Sequence, residues 1–146
     1  MGHDVRRISA AETHPLRQAI LRPHQDEGAV RWPGDDAADT VHFGAFAGGR
    51  LVGVGTLLRE APKGSSDPRA WRLRGMATHP DVRGQGHGAA IVRAALEHAR
   101  AQGATRMWFN ARTSAVPFYE KLGFVRSGHE FFVPDAGPHY YMDVRL

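Results

Sequence analysis

In Arg83-Gly84-Gln85-Gly86-His87-Gly88, three glycines alternate with larger residues between a strand-like run (71–78) and a helix-like run (89–102). The first N–H groups of a helix have no internal partner, and the helix dipole places partial positive charge there. Glycines lack the Cβ atoms that would keep an anion away from those N–H groups. Arg83 adds a full positive charge. This stretch therefore predicts a pyrophosphate site at the start of a helix.

On either side of this stretch, apolar periodicity and turn residues predict the element order β α β β β α β α β β over one domain, residues 1–146. The predicted strands are 5–8, 41–47, 51–59, 71–78, 106–111, 124–133 and 140–146, and the predicted helices are 14–21, 89–102 and a short one after residue 114. Antiparallel hairpins around one β-α-β crossover indicate a mixed sheet and an α/β or α+β class.

Several local expectations follow from single residues. Thr13 is predicted to cap the first helix, with Pro15 in its first turn, and Ser114 is predicted to cap the last helix. Phe118 is expected in the core. Gly75 is expected to mark a β-bulge. The acidic run Asp35, Asp36 and Asp39 is expected in a solvated loop within the long irregular segment 22–40, with attraction of a cationic amine toward the cleft as the alternative.

Composition excludes several classes of protein. The chain has 146 residues, a formal charge of +4 and no cysteine, so it has no thiolate nucleophile, disulfide or cysteine metal site. Its positive charge is too dispersed to indicate nucleic acid, and no apolar run approaches the length of a membrane span. The start of the chain lacks the apolar region of a signal peptide, which favours the cytoplasm. The nine histidines are scattered without metal-ligand spacing, so no metal is expected.

Two motifs connect the chain to a known family. Residues 76–88 (MATHPDVRGQGHG) resemble the acetyl-coenzyme A motif of the GNAT N-acetyltransferase superfamily, Gln/Arg-x-x-Gly-x-Gly/Ala, which Arg83, Gly86 and Gly88 match. Residues 115–124 (AVPFYEKLGF) resemble the family's Ala-x-x-x-Tyr-x-Lys-x-Gly-Phe motif. The two motifs lie at the separation expected in that family, with a helix and a strand between them.

The resemblance implies a mixed central sheet of about six to seven strands, with a splayed central parallel pair and three to four flanking helices. It implies acetyl-CoA as the acetyl donor, coenzyme A as a product, and a pantetheine arm lying in the gap between the splayed strands. The residues that it places against the cofactor are Met76, Ala77, Thr78, Arg83, Gly84, Gln85, Gly86, His87, Gly88, Ala89 and Tyr119. Arg112 replaces the family's common asparagine, and Asn110, two residues earlier, is expected to take over a pantetheine contact.

The resemblance also suggests catalytic residues. Tyr119 matches the tyrosine that the family places beside the leaving sulfur, where a phenol with a pKa of about 10 can donate a proton. Many members carry a glutamate on the strand before the glycine loop, but this chain has Arg72 and Arg74 there. Glu60, His42 and His79 are the alternative candidates for the base that deprotonates the amine, and a water relay, or an amine that arrives already neutral, is equally open.

The leading interpretation is an N-acetyltransferase that acts on the primary amine of a small molecule or peptide. Transfer is expected to be direct, through a ternary complex, because no cysteine can form an acetyl-enzyme. A non-catalytic acyl-CoA sensor of the same fold is the main alternative. A dinucleotide-binding protein is disfavoured, because no acidic ribose ligand follows the helix. Pairing of the closing strands across a homodimer is left open.

Overall fold

The computed structural model describes residues 2–146. Its seven strands form one mixed sheet in the order β1-β2-β3-β4-β5-β7-β6. Neighbouring strands are antiparallel except for β4 and β5, which are parallel. The strands are β1 (Asp4–Ile8), β2 (Val41–Ala47), β3 (Arg50–Arg59), β4 (Ala70–Thr78), β5 (Arg106–Arg112), β6 (Val125–Val133) and β7 (Gly137–Arg145). The mixed sheet and the order of elements predicted from the sequence are confirmed.

Three α-helices accompany the sheet: α1 (Ala10–Leu16), α2 (His87–Ala101) and α3 (Val116–Lys121). A π-helical turn, Arg17–Leu21, continues α1, and short 3-10 turns lie at Glu27–Val30, Pro80–Val82 and Thr113–Ala115.

The predicted start of α1 was wrong. Ser9 caps the helix: its hydroxyl accepts from the N–H of Glu12, and the Glu12 carboxylate accepts from the N–H of Ser9. This reciprocal pair satisfies two helix-terminal N–H groups, so the helix begins four residues before the predicted start. Pro15 therefore lies inside the helix rather than in its first turn.

Helix α2 covers one face of the sheet, which we call the α2 face. The helix buries Ile91, Val92 and Leu96 against a core that includes Trp71 and Met107. Burying each of the three helix side chains stabilises the fold by roughly 1.5–3 kcal/mol. Helix α3 packs on the same face, where its tyrosine joins that core.

The opposite face, which we call the α1 face, is covered by α1, the π-helical turn and the segment 22–40. The predicted solvation of Asp35 was wrong: this residue is only 7% exposed and forms an ion pair with Arg17, which is fully buried. Asp36 and Asp39 are exposed as predicted. A buried guanidinium needs a carboxylate close by, and this pair holds the long segment onto the sheet.

Two further local predictions fail. Phe118 is 39% exposed instead of lying in the core, because it packs outside the first turn of α2 near Gly88. Ser114 does not cap α3; Ala115 occupies the cap position without a side-chain hydrogen bond.

The parallel pair β4 and β5 separates soon after it forms. Register pairs run only from Ala70–Arg106 to Arg72–Trp108, and beyond them β4 keeps β3 as its only strand neighbour within residues 2–146. Gly75 has a φ of +68°, and the β3–β4 register shifts across this point, so the predicted bulge is confirmed. The bulge turns Arg74 toward the α1 face and Met76 toward the α2 face. The result is a gap in the centre of the sheet.

Candidate active site

The gap between β4 and β5 forms a cleft of about 440 Å³. Its walls come from residues 72–76 of β4 and 109–112 of β5. Because side chains alternate along a strand, Leu73, Phe109 and Ala111 line the part of the cleft on the α2 face. Arginine side chains and Trp32 line the part on the α1 face. The cleft therefore passes through the sheet from one face to the other.

The glycine stretch lies at the carboxyl end of β4, beside this cleft. Gly86 is the N-cap of α2 with a φ of +87°, and no side chain caps that helix. Gly84 has a φ of +79°, and a Cβ built on it would meet no atom within 4 Å. The first-turn N–H groups of α2 are thus free of side-chain acceptors within the described chain. This geometry fits an anion such as a diphosphate.

Two other observations mark the same stretch as a ligand site. The Nδ1 of His87 is buried without a hydrogen-bond partner in residues 2–146. His3 lies across the turn, with its Nε2 donating to the carbonyl of Gln85 at 2.6 Å and its ring edge against His87. A buried polar atom without a partner is rare in native proteins, and a ligand is one thing that supplies such a partner.

The remaining residues expected to contact the cofactor divide between the cleft and the segment from the end of β4 to the start of α2, which is outside the cleft lining. Met76 and Asn110 line the cleft from opposite strands. Thr78 ends β4, and its hydroxyl lies close to Gly88. Arg83 is exposed, and Ala89 is half-buried in the first turn of α2.

Tyr119 lines the cleft from α3 and is only 7% exposed. Its ring packs against Phe109 at 4.3 Å between centroids, and against Phe124. Burial raises the pKa of the Tyr119 phenol well above its ordinary value. The hydroxyl therefore keeps its proton at neutral pH and can act as a donor.

The candidates for the base lie in different places. Glu60 follows β3 and accepts from Arg72 at 2.8 Å, but it is not among the residues that line the cleft. His79 lies beyond the end of β4, where its Nδ1 accepts from the N–H of Asp81.

His42 is buried with both of its ring nitrogens engaged. Its Nε2 donates to the carbonyl of Asp35 at 2.9 Å, which leaves Nδ1 as the acceptor from the Thr56 hydroxyl at 2.8 Å. That hydroxyl in turn accepts from Arg17. Because no lone pair of His42 is free and the residue does not line the cleft, its geometry is that of a core residue.

His139 lines the cleft, although no sequence motif marks it. It lies opposite Arg112 in the β5–β7 register, on the α1 face. Its Nδ1 lies 2.8 Å from the carbonyl of Gly137. A carbonyl only accepts, so Nδ1 carries the proton and the lone pair of the neutral ring is on Nε2. The sequence offered no signal, because this placement depends on strand register.

Two of the arginines on the α1 face are held by carboxylates. Arg72 pairs with Glu60 and lies over the ring of Trp108 at 5.0 Å. Arg74 donates to Asp35 at 3.0 Å and to the carbonyl of Pro33 at 2.6 Å.

The sheet is splayed between two parallel strands, with an uncapped glycine turn at the end of one of them and a buried tyrosine in the gap, which is the arrangement that the two sequence motifs implied. The model of the acetyltransferase (GNAT) family matches residues 5–124. The chain therefore belongs to the GNAT family of acetyltransferases.

Individual relatives agree with this assignment. The uncharacterized N-acetyltransferase YitI of Bacillus subtilis (strain 168) is 32% identical over 139 residues, which cover 95% of this chain and 93% of that protein. A glucosamine 6-phosphate N-acetyltransferase of Trypanosoma brucei brucei is 34% identical over 77 residues, 52% of each chain. A solved aminoglycoside 6'-N-acetyltransferase complexed with coenzyme A superposes with a TM-score of 0.77 at 11% identity, covering 97% of this chain and 96% of that one. At this identity the match shows the fold alone.

No helix within the described residues is long and apolar enough to cross a membrane. Residues 2–146 also contain no group of three or more histidines and carboxylates placed to hold a metal ion.

Proposed function

We propose that this protein transfers the acetyl group of acetyl-CoA to the primary amine of a small molecule or peptide, directly and within a ternary complex. The observation that carries the proposal is the open cleft between β4 and β5, which begins beside the uncapped glycine turn and contains Tyr119. The donor and the acceptor can enter such a passage from opposite faces of the sheet. The named relative that acts on glucosamine 6-phosphate, a small primary amine, supports the substrate class.

The residues around the cleft fit coenzyme A. The N–H groups of Gly84, Gly86 and Gly88 would hold the diphosphate, with Arg83 beside them. The backbone of residues 76–78, which lacks a strand partner on the β5 side, would pair with the pantetheine arm. When bound, the thioester supplies an activated acetyl group.

The chain must then supply a proton acceptor and a proton donor. The amine nitrogen attacks the acetyl carbon only when it is neutral, so a base takes its proton. We assign this step to the Nε2 of His139, because that atom carries the lone pair and its residue lines the cleft. Glu60 then has a positioning role, because its carboxylate is engaged by Arg72.

As the new C–N bond forms, the C–S bond breaks and the sulfur leaves as a thiolate. The Tyr119 hydroxyl, which burial keeps protonated, donates a hydrogen bond to that sulfur and stabilises the leaving thiolate. A backbone N–H of β4 in the gap stabilises the negative charge that develops on the carbonyl oxygen.

Thiol release measures this reaction. The protein is incubated with acetyl-CoA and a panel of polyamines, amino acids, amino sugars, aminoglycosides and peptides, and free coenzyme A is followed. We expect turnover with at least one amine, and a Tyr119→Phe variant whose kcat is about 10-fold to 10³-fold lower. Tyr140→Phe is the matched control, because Tyr140 lies on β7 and does not line the cleft.

A second measurement separates an enzyme from a sensor. Coenzyme A should raise the melting temperature and NAD should not. Stabilisation by coenzyme A without thiol release from any amine would favour an acyl-CoA sensor of the same fold. The absence of stabilisation by coenzyme A would overturn the proposed function.

A further inference from the structure

The part of the cleft on the α1 face is lined by cations. Four arginines contribute to it, Arg22, Arg72, Arg74 and Arg112, and no aspartate or glutamate is among its described lining residues. Two of the four, Arg72 and Arg74, have carboxylates directly behind them. Glu60 neutralises Arg72, whereas Arg74 shares the single charge of Asp35 with Arg17.

Arg22 and Arg112 are not neutralised in this way. Both donate to one acceptor, the backbone carbonyl of Leu21, at 2.8 Å and 3.2 Å. Within residues 2–146 neither has a carboxylate partner. A guanidinium has five N–H donors, so most of the donors of this pair are unused. Two adjacent positive charges therefore share one neutral oxygen.

This arrangement is unfavourable without a ligand. Arg112 is half-buried, and its burial together with the charge of Arg22 lowers its pKa. Like charges in a partly desolvated site repel, and an anion between them would convert that repulsion into attraction. Guanidinium groups bind carboxylates and phosphates with two parallel hydrogen bonds.

The geometry points to an anionic acceptor: Arg22 and Arg112 bind a carboxylate or phosphate group that the substrate carries in addition to its reacting amine. This inference rests on the proposed acetyl transfer. The site is distinct from the predicted diphosphate site, because Arg112 reaches the π-helical turn on the α1 face, whereas the glycine turn leads into α2 on the other face. The arginine pair therefore favours amino acids or phosphorylated amines as acceptors over polyamines, whose charge is positive.

The first test compares matched amines in the thiol-release assay. Ethanolamine phosphate is compared with ethanolamine, and 4-aminobutyrate with its amide. We expect at least a tenfold higher kcat/KM for the anionic member of one pair, and that pair identifies phosphate or carboxylate as the preferred group. Arg112→Gln should raise the KM of the preferred amine about 10-fold to 100-fold and leave the KM of acetyl-CoA unchanged.

Controls separate recognition from folding. Arg100→Gln removes an exposed arginine on α2 and should keep the preference. Arg112→Lys retains the charge but loses the paired hydrogen bonds, and should show an intermediate preference. Faster turnover of the neutral amines, or an unchanged preference in Arg112→Gln, would overturn the inference.

The second test does not depend on turnover. With coenzyme A present to occupy the glycine turn, inorganic phosphate or glutarate should raise the melting temperature of the wild type above that in sodium chloride of equal ionic strength. Arg22→Gln and Arg112→Gln should abolish this rise. If no amine releases thiol but the anion effect depends on both arginines, the proposed function fails and the anion site stands. If no anion stabilises the wild type, the anion site fails even for an active enzyme.

Discussion

Replacing Asp35 with asparagine tests how the α1 face is held together. The carboxylate accepts from Arg17 at 2.7 Å and 3.1 Å, from Arg74 at 3.0 Å and from the N–H of Trp32 at 3.1 Å. Asparagine keeps the shape but removes the charge, and it leaves the fully buried Arg17 without a counter-ion. Removing one partner of a buried pair costs about 3–5 kcal/mol of unfolding free energy.

The pKa of Asp35 gives an independent and lower value for the stability that this carboxylate contributes. Burial by itself would raise this pKa, but the hydrogen bonds from Arg17 and Trp32 and the charge of Arg17 lower it from 3.8 to about 2. A difference of this size between folded and unfolded states corresponds to about 2 kcal/mol of stability at neutral pH. We therefore expect Asp35→Asn to destabilise the protein by about 2–5 kcal/mol.

The sign of the pH dependence follows from the direction of the shift. Because the folded pKa is the lower one, the contribution is complete above the unfolded pKa of 3.8 and is lost as the pH falls toward 2. Urea unfolding at pH 7 and at pH 3 measures the difference in unfolding free energy between the wild type and Asp35→Asn. The difference between them should be about 1 kcal/mol smaller at pH 3.

Asp36→Asn is the matched control, since Asp36 is the exposed neighbour, and it should change stability by less than about 0.5 kcal/mol. Equal stability of Asp35→Asn and wild type at pH 7, or a difference that grows as the pH falls, would refute the reasoning.

Three other substitutions test the site and the fold. His139→Gln should lower kcat by about 10²-fold to 10⁴-fold, whereas His129→Gln on the exposed β6 should keep the wild-type kcat. Gly84→Asp should raise the KM of acetyl-CoA, because it places a side chain and a negative charge beside the N–H groups of the glycine turn. Gly103→Asp is the control: its φ of +78° is nearly equal, so it should lose as much stability as Gly84→Asp but keep the wild-type KM. Ser9→Ala should cost about 1 kcal/mol in urea unfolding, while Ser114→Ala, which removes no cap, should cost almost nothing.

The features that the sequence predicts well are local ones. The glycine turn, the helix predicted over 89–102 and the hairpin of the strands predicted over 41–47 and 51–59 each depend on residues close to one another in sequence, and all three are present. The two family motifs also predicted the splayed pair, because they lie on the elements that flank it.

The features that could not be predicted from the sequence depend on residues that are far apart along the chain. Asp35 lies among polar residues that are typical of a solvated loop, and only Arg17, distant in sequence, makes its burial favourable. One signal was available: Arg17 follows Thr13 and precedes Ile20 at helical spacing, which places an arginine on an otherwise buried face. His139 and Arg112 meet through the β5–β7 register, which no local pattern encodes.

The short ladder between β4 and β5 has a consequence for how the chain could be divided. It joins two half-sheets, β1–β4 and β5–β7–β6, and each half is continuous in sequence on one side of the exposed Gly103. Cutting the polypeptide there would leave the glycine turn and Arg22 on one fragment, and Tyr119, Arg112 and His139 on the other. Neither fragment would contain all of the residues proposed to react. Acetyl transfer by a mixture of the two fragments would therefore show that they assemble into one domain.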